Sequence, residues 1–335
     1  MNPRHRRLLI PGLLIALLVV VLVAAIARRA DAATSAGTVA CVVSDARIDE
    51  QSGLAVSVAH PGTAYVVNDS GSDPRVFALD LDSCDVVGVT TLKGVDWRDV
   101  EALALDGDGT LWIADTGDND AVRDDAALYS LDEPGRRSTA VTPKVHPISY
   151  ETGREDVEAL VIDPVTGAKW VVTKGWVGGE LLALPGDLPT GTVSEATSTG
   201  VSMPLMVTDA AMTPDGRYVL VRNYLKAVLY DAGDDFAEIG EVALPAQSQG
   251  ETLAVEPDGT TVLVGSEGRD QPLVRVPFST PQEVAPASPP QDSDGDEARP
   301  ADADEAAISP LAWAGGVTFV CLLAGTAFAL RRRRP

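Results

Sequence analysis

The run E-A-L-A-L-D-G-D-G-T-L-W-I-A-D at residues 101–115 has the pattern of a β-hairpin. Two short apolar runs flank the turn residues Asp106-Gly107-Asp108-Gly109. An Asp-Gly pair between alternating apolar runs is a strong signal for an antiparallel hairpin. The runs are too short, and too close to turn residues, to show the periodicity of an amphipathic helix. We therefore predict two adjacent antiparallel strands.

This unit recurs five times between residues 49 and 267, each time with a polar or acidic approach to an apolar strand. Equivalent positions are separated by 49, 57, 51 and 42 residues. They are Leu54, Leu103, Leu160, Ala211 and Leu253. Such spacings match one four-stranded propeller blade per repeat. We predict an all-β protein, a β-propeller of five four-stranded blades; six blades are the alternative, because residues 136–153 leave room for another.

The N-terminal end has the pattern of a secretory signal. Basic residues at 4–7 precede an apolar run over residues 8–27, and Ala30-Asp31-Ala32 has the small-x-small pattern of a signal-peptidase site. We predict a signal peptide over residues 1–32. An uncleaved anchor is the alternative, because the apolar run is long enough to span a bilayer.

The C-terminal end has the pattern of a membrane anchor. Residues 311–330 carry no charge and are followed by four arginines, which the positive-inside rule keeps in the cytoplasm. The preceding Pro-, Ala- and acid-rich segment has too little apolar surface to fold. The predicted segments are a propeller ectodomain at 33–280, a disordered stalk at 281–307, a transmembrane helix at 308–330 and a cytoplasmic arginine tail at 331–335. This places the propeller on the extracytoplasmic face of the plasma membrane.

The chain is strongly acidic, with 49 acidic and 26 basic side chains and a net charge of −23. Such a charge disfavours nucleic acid and anionic lipid as partners. Divalent cations, cationic peptides and neutral glycans suit the field better. The scarcity of lysine and the abundance of Ala, Val and Asp are typical of a GC-rich bacterial genome.

Two cysteines, Cys41 and Cys84, lie in the predicted ectodomain, and Cys321 lies in the predicted membrane segment. An even pair outside the cytoplasm predicts a disulfide. Cys41 belongs to a strand that precedes the first repeat, and we expect this strand to close the ring by pairing with the last blade. Two buried free thiols are the alternative.

Two motifs in the second repeat resemble known propellers. D-G-D-G-T-L-W-I-A-D-T-G-D-N at residues 106–119 resembles the NHL class of propeller repeat. Asp99-Val100-Glu101-Ala102-Leu103 resembles the inner-strand signature of calcium-dependent β-propeller phytases and related esterase-like propellers. The resemblance implies acidic residues near the channel that hold calcium, and basic residues that bind substrate phosphate.

Hairpin geometry predicts a polar ring at one mouth of the channel. In an antiparallel pair, the residue just before the first strand faces the residue just after the second. The resulting pairs are Ser52 with Asp69, Glu101 with Asp115, Glu158 with Lys174, Asp209 with Arg222, and Glu251 with Ser266 or Glu267. Because the inner strands of a propeller line its axis, we expect all five pairs at one channel mouth.

The ring supplies the candidate ligand-binding residues. Glu158 with Lys174 and Asp209 with Arg222 carry opposite charges, which fits either structural ion pairs or a role in binding. Asp69 adds a carboxylate, and Trp176 lies in a loop on the same face, where its ring would stack on a sugar or peptide. Packing between blades is the alternative role for such a tryptophan.

The remaining ring residues predict a calcium site. Carboxylates at short range repel one another unless a cation, proton or water separates them. Calcium prefers such oxygen ligands. The candidate ligands are Glu101, Asp115, Asp118, Asn119 and Glu251. The alternative is that these side chains cap strand ends in Asx-type turns and bind no metal.

Catalytic signals are few. His60 and His146 are both placed away from the ring, and the sequence has no Gly-x-Ser-x-Gly motif, which disfavours a Ser-His-Asp hydrolase. The leading hypothesis is a surface-displayed propeller, tethered to the membrane by its C-terminal helix, that binds a peptide, glycan or protein at an acidic, calcium-loaded channel mouth. The alternative is a metal-dependent phosphoesterase or lactonase-like hydrolase using a channel calcium. A structural ectodomain is a third possibility.

Overall fold

The computed structural model describes residues 37–70 and 73–281. Every regular element in these two ranges is a β-strand, as predicted. No helix in the described part of the chain is long and apolar enough to cross a membrane. The predicted signal peptide, the transmembrane helix, the arginine tail and all of the stalk except Pro281 lie outside the described residues.

The strands are five to seven residues long, with one shorter and one longer exception. In chain order they are β1 (Thr38–Val43), β2 (Gln51–Val56), β3 (Thr63–Asn68), β4 (Arg75–Asp80), β5 (Val86–Leu92), β6 (Val100–Leu105), β7 (Thr110–Asp115), β8 (Ala127–Asp132), β9 (Thr139–Val141), β10 (Lys144–Tyr150), β11 (Val157–Ile162), β12 (Lys169–Thr173), β13 (Gly179–Ala183), β14 (Ser194–Met203), β15 (Val207–Met212), β16 (Tyr218–Asn223), β17 (Lys226–Asp231), β18 (Ala237–Ala243), β19 (Gly250–Val255), β20 (Thr261–Ser266) and β21 (Gln271–Pro277).

These strands form a propeller-like ring. The antiparallel groups are β2 to β5, β6 to β8 with β10, β11 to β14, β15 to β18, and β19 to β21 with β1. The first strands of the groups, β2, β6, β11, β15 and β19, pack on one another in turn, and β19 returns to β2. In residues 136–153, β9 pairs with the edge of β5, and β10 pairs with β8 and β14. That stretch therefore adds edge strands within the described part of the chain.

The core lies between successive groups of strands, so most strands bury both faces. Between the first two groups, for example, Tyr65 and Val67 of β3 pack with Leu103, Leu111 and Ile113 of the next group. Burying each such side chain contributes roughly 1.5–3 kcal/mol. Because both faces of most strands are covered, the channel ends and the loops there are open to ligands.

The ring closes as the sequence predicts. Strand β1 pairs antiparallel with β21, so the N-terminal strand completes the last group. The disulfide Cys41–Cys84 is confirmed, with its Cα atoms 5.4 Å apart. It links β1 to the turn between β4 and β5, and so joins the first and last groups covalently.

A β-bulge interrupts each of the five inner strands close to its start. In β6, Val100 pairs with Asp115 and Ala102 with Ala114, which leaves Glu101 without a partner across the ladder. The extra residues at the five bulges are Gly53, Glu101, Glu158, Thr208 and Glu251. A bulge re-aims a side chain out of the regular alternation of the strand. The side chains of Glu101, Glu158 and Glu251 thereby face the channel.

Candidate metal centre

A polar cavity of about 260 Å³ lies at the end of the ring where the bulges are found. Every residue in its wall has a polar or charged side chain. They are Glu50, Gln51, Ser52, Asp69, Glu101, Asn119, Glu158, Lys174, Tyr224, Gln249, Glu251 and Glu267. The cavity therefore brings together Asp69, Glu101, Asn119, Glu158, Lys174 and Glu251 of the residues that the sequence predicted.

Three carboxylates converge where Asp69 and Glu101 line this cavity. Asp69, Asp99 and Glu101 each present an oxygen that lies within 4.8 Å of the other two. Asp69 directly follows β3. Asp99 lies just before β6, and its backbone forms an isolated β-bridge with Ser70. Asp69 Oδ1 is buried and accepts no hydrogen bond from the described protein atoms. We call these three residues the carboxylate cluster.

The cluster is electrostatically unfavourable as it stands. Burial, a hydrogen bond with Asp99 and repulsion by neighbouring carboxylates raise the pKa of Asp69 to about 9. Burial, followed by repulsion from Glu158 and Asp69, raises the pKa of Glu101 well above its ordinary value. The folded protein therefore favours protons or a cation at this position over three free carboxylates.

The loop around Asp115 holds the cluster in place. The Asp115 carboxylate accepts hydrogen bonds from the backbone N–H of Arg98 and of Asp99, at 3.2 and 3.1 Å, and from Arg123 Nη2 at 2.8 Å. Gly117 packs so closely that a Cβ atom there would lie 2.3 Å from Glu101 Oε1. Asp115 therefore acts as a positioning residue for Asp99, and Gly117 leaves the room that Glu101 occupies.

Asp118 and Asn119 have different surroundings. The Asp118 carboxylate accepts the N–H groups of Val122 and Arg123 at 2.9 and 2.8 Å, which is the capped turn of the metal-free alternative. Asn119 is exposed and lines the cavity. The two neighbouring loop residues therefore differ in role: Asp118 binds backbone N–H groups, and Asn119 lines the cavity.

The opposite side of the cavity carries hydrogen-bond donors. Lys174 Nζ lies 2.6 Å from Glu158 Oε1, as the predicted pair requires. Burial raises the pKa of Glu158 to about 8 and lowers that of Lys174, but the attraction of Glu158 leaves the pKa of Lys174 above its usual range. Tyr224 lies in the cavity wall with Lys174 and Glu251, and both groups act on the pKa of its hydroxyl. Burial raises the pKa of Glu251 to about 7.

Asp209 and Arg222 are buried completely and do not line the cavity. Asp209 accepts the N–H of Leu253 at 2.6 Å, and Arg222 donates to the carbonyl of Thr252 at 2.7 Å. Burial raises the pKa of Asp209 and lowers that of Arg222 to about 10. Both side chains therefore join β15 and β16 to β19 through hydrogen bonds to its backbone.

Sequence reasoning missed Asp99 and Tyr224, although each has a simple signal. The residue directly after the second strand of a group reaches the cavity in four of the five groups. These residues are Asp69, Lys174, Tyr224 and Glu267. Asp99 stands two residues before the bulge at Glu101, inside the very motif that resembles calcium-dependent propellers.

Comparison with known proteins identifies the family. Residues 47–249, more than half of the chain, match the Phytase-like family, described as "Esterase-like activity of phytase". The chain belongs to this family. The match spans Asp69, the other members of the carboxylate cluster, Lys174 and Tyr224, and ends just before Glu251.

Solved structures resemble this phytase-like protein at low identity. A regucalcin from Agrobacterium tumefaciens, described as a calcium-binding protein, is 15% identical; the match covers 71% of this chain and 94% of that one, with a TM-score of 0.40. A gluconolactonase from Xanthomonas campestris is 12% identical, covering 68% and 72%, with a TM-score of 0.43. No curated protein matches the sequence. Site residues are therefore assigned from this chain's own geometry.

Proposed function

We propose that this phytase-like protein hydrolyses esters with the help of a divalent cation, Ca²⁺ by preference, held by Asp69, Asp99 and Glu101. The observation that carries the proposal is the cavity itself, whose wall holds Asp69 and Glu101 of the carboxylate cluster together with Lys174 and Tyr224. The family description, esterase-like activity, supports the same reaction class. Phosphoesters and carboxylic esters, lactones included, are the candidate substrates.

The residues present fit a hard cation. All three cluster members offer carboxylate oxygens, the ligand type that calcium prefers, and Asp69 Oδ1 has no competing hydrogen bond. Burial and, after it, repulsion between carboxylates raise the pKa values of Asp69 and Glu101, and a bound cation would offset both. Asn119 and Glu251 line the same cavity and provide further oxygens.

The chain's own residues supply the other requirements of hydrolysis. When bound, the cation would polarise the ester oxygen and acidify a water molecule. Lys174 and Tyr224 would donate hydrogen bonds to the negative charge that develops on the reacting group. Glu251 has a pKa of about 7, which suits a general base at neutral pH. Glu158 keeps Lys174 charged through their 2.6 Å ion pair.

We also propose the setting in which this site works. The five groups of strands would be five propeller blades, displayed outside the cell on an anchor at 308–330. The sequence of both termini supports export and tethering, and the Cys41–Cys84 disulfide fits an oxidising compartment. In that setting the substrate reaches the cavity from the extracytoplasmic side.

The test is ester hydrolysis by the full-length protein with calcium and with chelator. We expect p-nitrophenyl esters or phosphate monoesters to be hydrolysed only with calcium, and Glu101→Gln to abolish the reaction. Asp258→Asn is the matched control, because Asp258 caps an exposed turn outside the cavity. Turnover that is equal with chelator, or equal in Glu101→Gln, would contradict the proposal.

A second candidate is a calcium-dependent binding module for a peptide, glycan or protein. It is favoured by Trp176, which is 84% exposed two residues beyond the cavity residue Lys174 and suits stacking on a ligand. Calcium-dependent binding without turnover of any ester would support this function over hydrolysis.

A further inference from the structure

Large apolar side chains are exposed beside the polar cavity. Trp176 is 84%, Val177 100%, Leu225 81% and Leu205 53% exposed. We call these four residues the apolar rim. An isolated exposed apolar residue needs no explanation, but a group of them beside a polar site marks a binding surface. The rim occurs on the loops that follow β12, β14 and β16.

The three loops are linked by hydrogen bonds. Met206 N–H donates to the Gly175 carbonyl at 2.9 Å, and the Asn223 side-chain amide donates to the Leu205 carbonyl at 3.2 Å. Gly175 lies so close to Gly178 that a Cβ atom on Gly175 would be 1.7 Å from the Gly178 carbonyl oxygen. Trp176 and Val177 are therefore held at the tip of a tight turn.

The rim is continuous with the cavity through the chain. Lys174 lines the cavity and Trp176 follows two residues later, while Tyr224 lines the cavity and Leu225 follows directly. Lys174 and Tyr224 both line the cavity, which brings the two loops together at its wall. A ligand whose polar end meets these two residues therefore lies next to loops that carry the rim.

The chemistry of the two surfaces defines the occupant. The cavity wall is entirely polar and about 260 Å³ in volume, so it suits a small polar or ester group. The rim offers apolar contact and no charge. An anionic membrane is disfavoured by the net charge of −23. One molecule with a polar end and an apolar end satisfies both surfaces.

We propose that the apolar rim binds the alkyl or aryl part of an amphiphilic ester whose polar end enters the cavity. This inference rests on the proposed hydrolase function and names its substrate class. Trp176 and Leu225 are the residues that determine specificity, since each adjoins a cavity donor.

The test compares p-nitrophenyl acetate with p-nitrophenyl octanoate, using the full chain in zwitterionic lipid nanodiscs with empty discs as background. We expect kcat/KM to be at least about tenfold higher for octanoate, since each buried methylene contributes measurably to binding. The double variant Trp176→Ser/Leu225→Ser should lower kcat/KM for octanoate to about the value for acetate. Val165→Ser is the matched control, because Val165 is also exposed (68%) but lies outside the rim.

A binding experiment separates failure of the rim from failure of the hydrolase. Calorimetry with octyl phosphate and ethyl phosphate, each with calcium, needs no turnover. Tighter binding of octyl phosphate that disappears in the double variant supports the rim, even if no ester is hydrolysed. Equal affinities in the wild-type protein, or an octanoate preference that survives in the double variant, would overturn it.

Discussion

Two sets of carboxylates lie close together near the start of β6, and they are used differently. Asp115 and Asp118 accept hydrogen bonds from backbone N–H groups, and Asp115 also binds Arg123. Asp69 and Glu101 face other carboxylates and have raised pKa values. A carboxylate whose oxygens already accept hydrogen bonds has a structural role. A carboxylate whose oxygens face other carboxylates is the better candidate for holding a metal, however many acids lie nearby.

We expect the largest loss of stability when a partner of the hydrogen-bonded carboxylates, Asp115 and Asp118, is removed. Arg123→Met removes the cation that lies 2.8 Å from the buried Asp115 carboxylate. Loss of one partner of a buried pair should lower the free energy of unfolding by about 3 kcal/mol. Urea unfolding measures this free energy. The control is Asp125→Asn, which removes the more exposed partner of Arg123 and should change the free energy of unfolding by less than about 1 kcal/mol. Equal effects of the two variants would contradict this account.

Calcium should stabilise the protein through the carboxylate cluster alone. At a hundredfold excess over its dissociation constant, the ion should raise the free energy of unfolding by about 2.7 kcal/mol. Glu101→Gln should remove most of this gain, because it deletes a cluster oxygen charge. Thermal unfolding with calcium and with chelator measures both. An unchanged melting temperature in the wild-type protein would favour a cavity without metal.

The pH dependence should also separate the two sets. In the metal-free protein the pKa of Asp69 is about 9, far above its unfolded value, so the folded state binds more protons between the two. The resulting stabilisation is complete below about pH 4 and is lost as the pH rises toward about 9. We expect the free energy of unfolding of the wild-type protein to fall across this range relative to that of Asp69→Asn. A wild-type curve parallel to that of Asp69→Asn would refute the prediction.

Single amide substitutions should have opposite signs in the two sets. Without metal, Asp99→Asn relieves repulsion in the cluster and should raise the free energy of unfolding by up to about 1 kcal/mol. Asp118→Asn weakens two charge-assisted hydrogen bonds and should lower it by about 1 kcal/mol. Chemical unfolding in chelator compares the two variants directly. Effects of the same sign would show that both sets are structural.

The sequence predicts the ring better than the cluster. Asp-Gly turns and repeat spacing locate the strands, because a hairpin is encoded locally. Regular pairing then places Glu101 opposite Asp115, whereas the bulge leaves Glu101 unpaired and Asp115 opposite Val100. A bulge adds one residue without a distinct sequence mark, so side-chain direction beyond it is not readable from alternation. Asp99 stands before the bulge and outside β6, so strand pairing makes no prediction for its side chain.

Pairs that depend only on a turn and two strands were easier to predict. Glu158 and Lys174 form the expected ion pair, since both reach the channel from one hairpin. Asp209 and Arg222 are cross-strand partners as well, yet they are completely buried. In β15 the bulge falls at Thr208, so Asp209 lies one position beyond the residue that faces the channel in the other strands. This burial depends on contacts with the neighbouring β19, and the sequence of β15 alone does not predict those contacts.

The pairing of β1 with β21 has a consequence for how the chain folds. These strands lie at opposite ends of the described sequence, so their contact closes the longest possible loop. Contacts between distant residues slow folding, because loop entropy is lost before the contact is made. Until that contact forms, β21 is an edge strand of its group. The Cys41–Cys84 link spans only 43 residues, so it can form early and hold β1 beside the first group until β21 arrives.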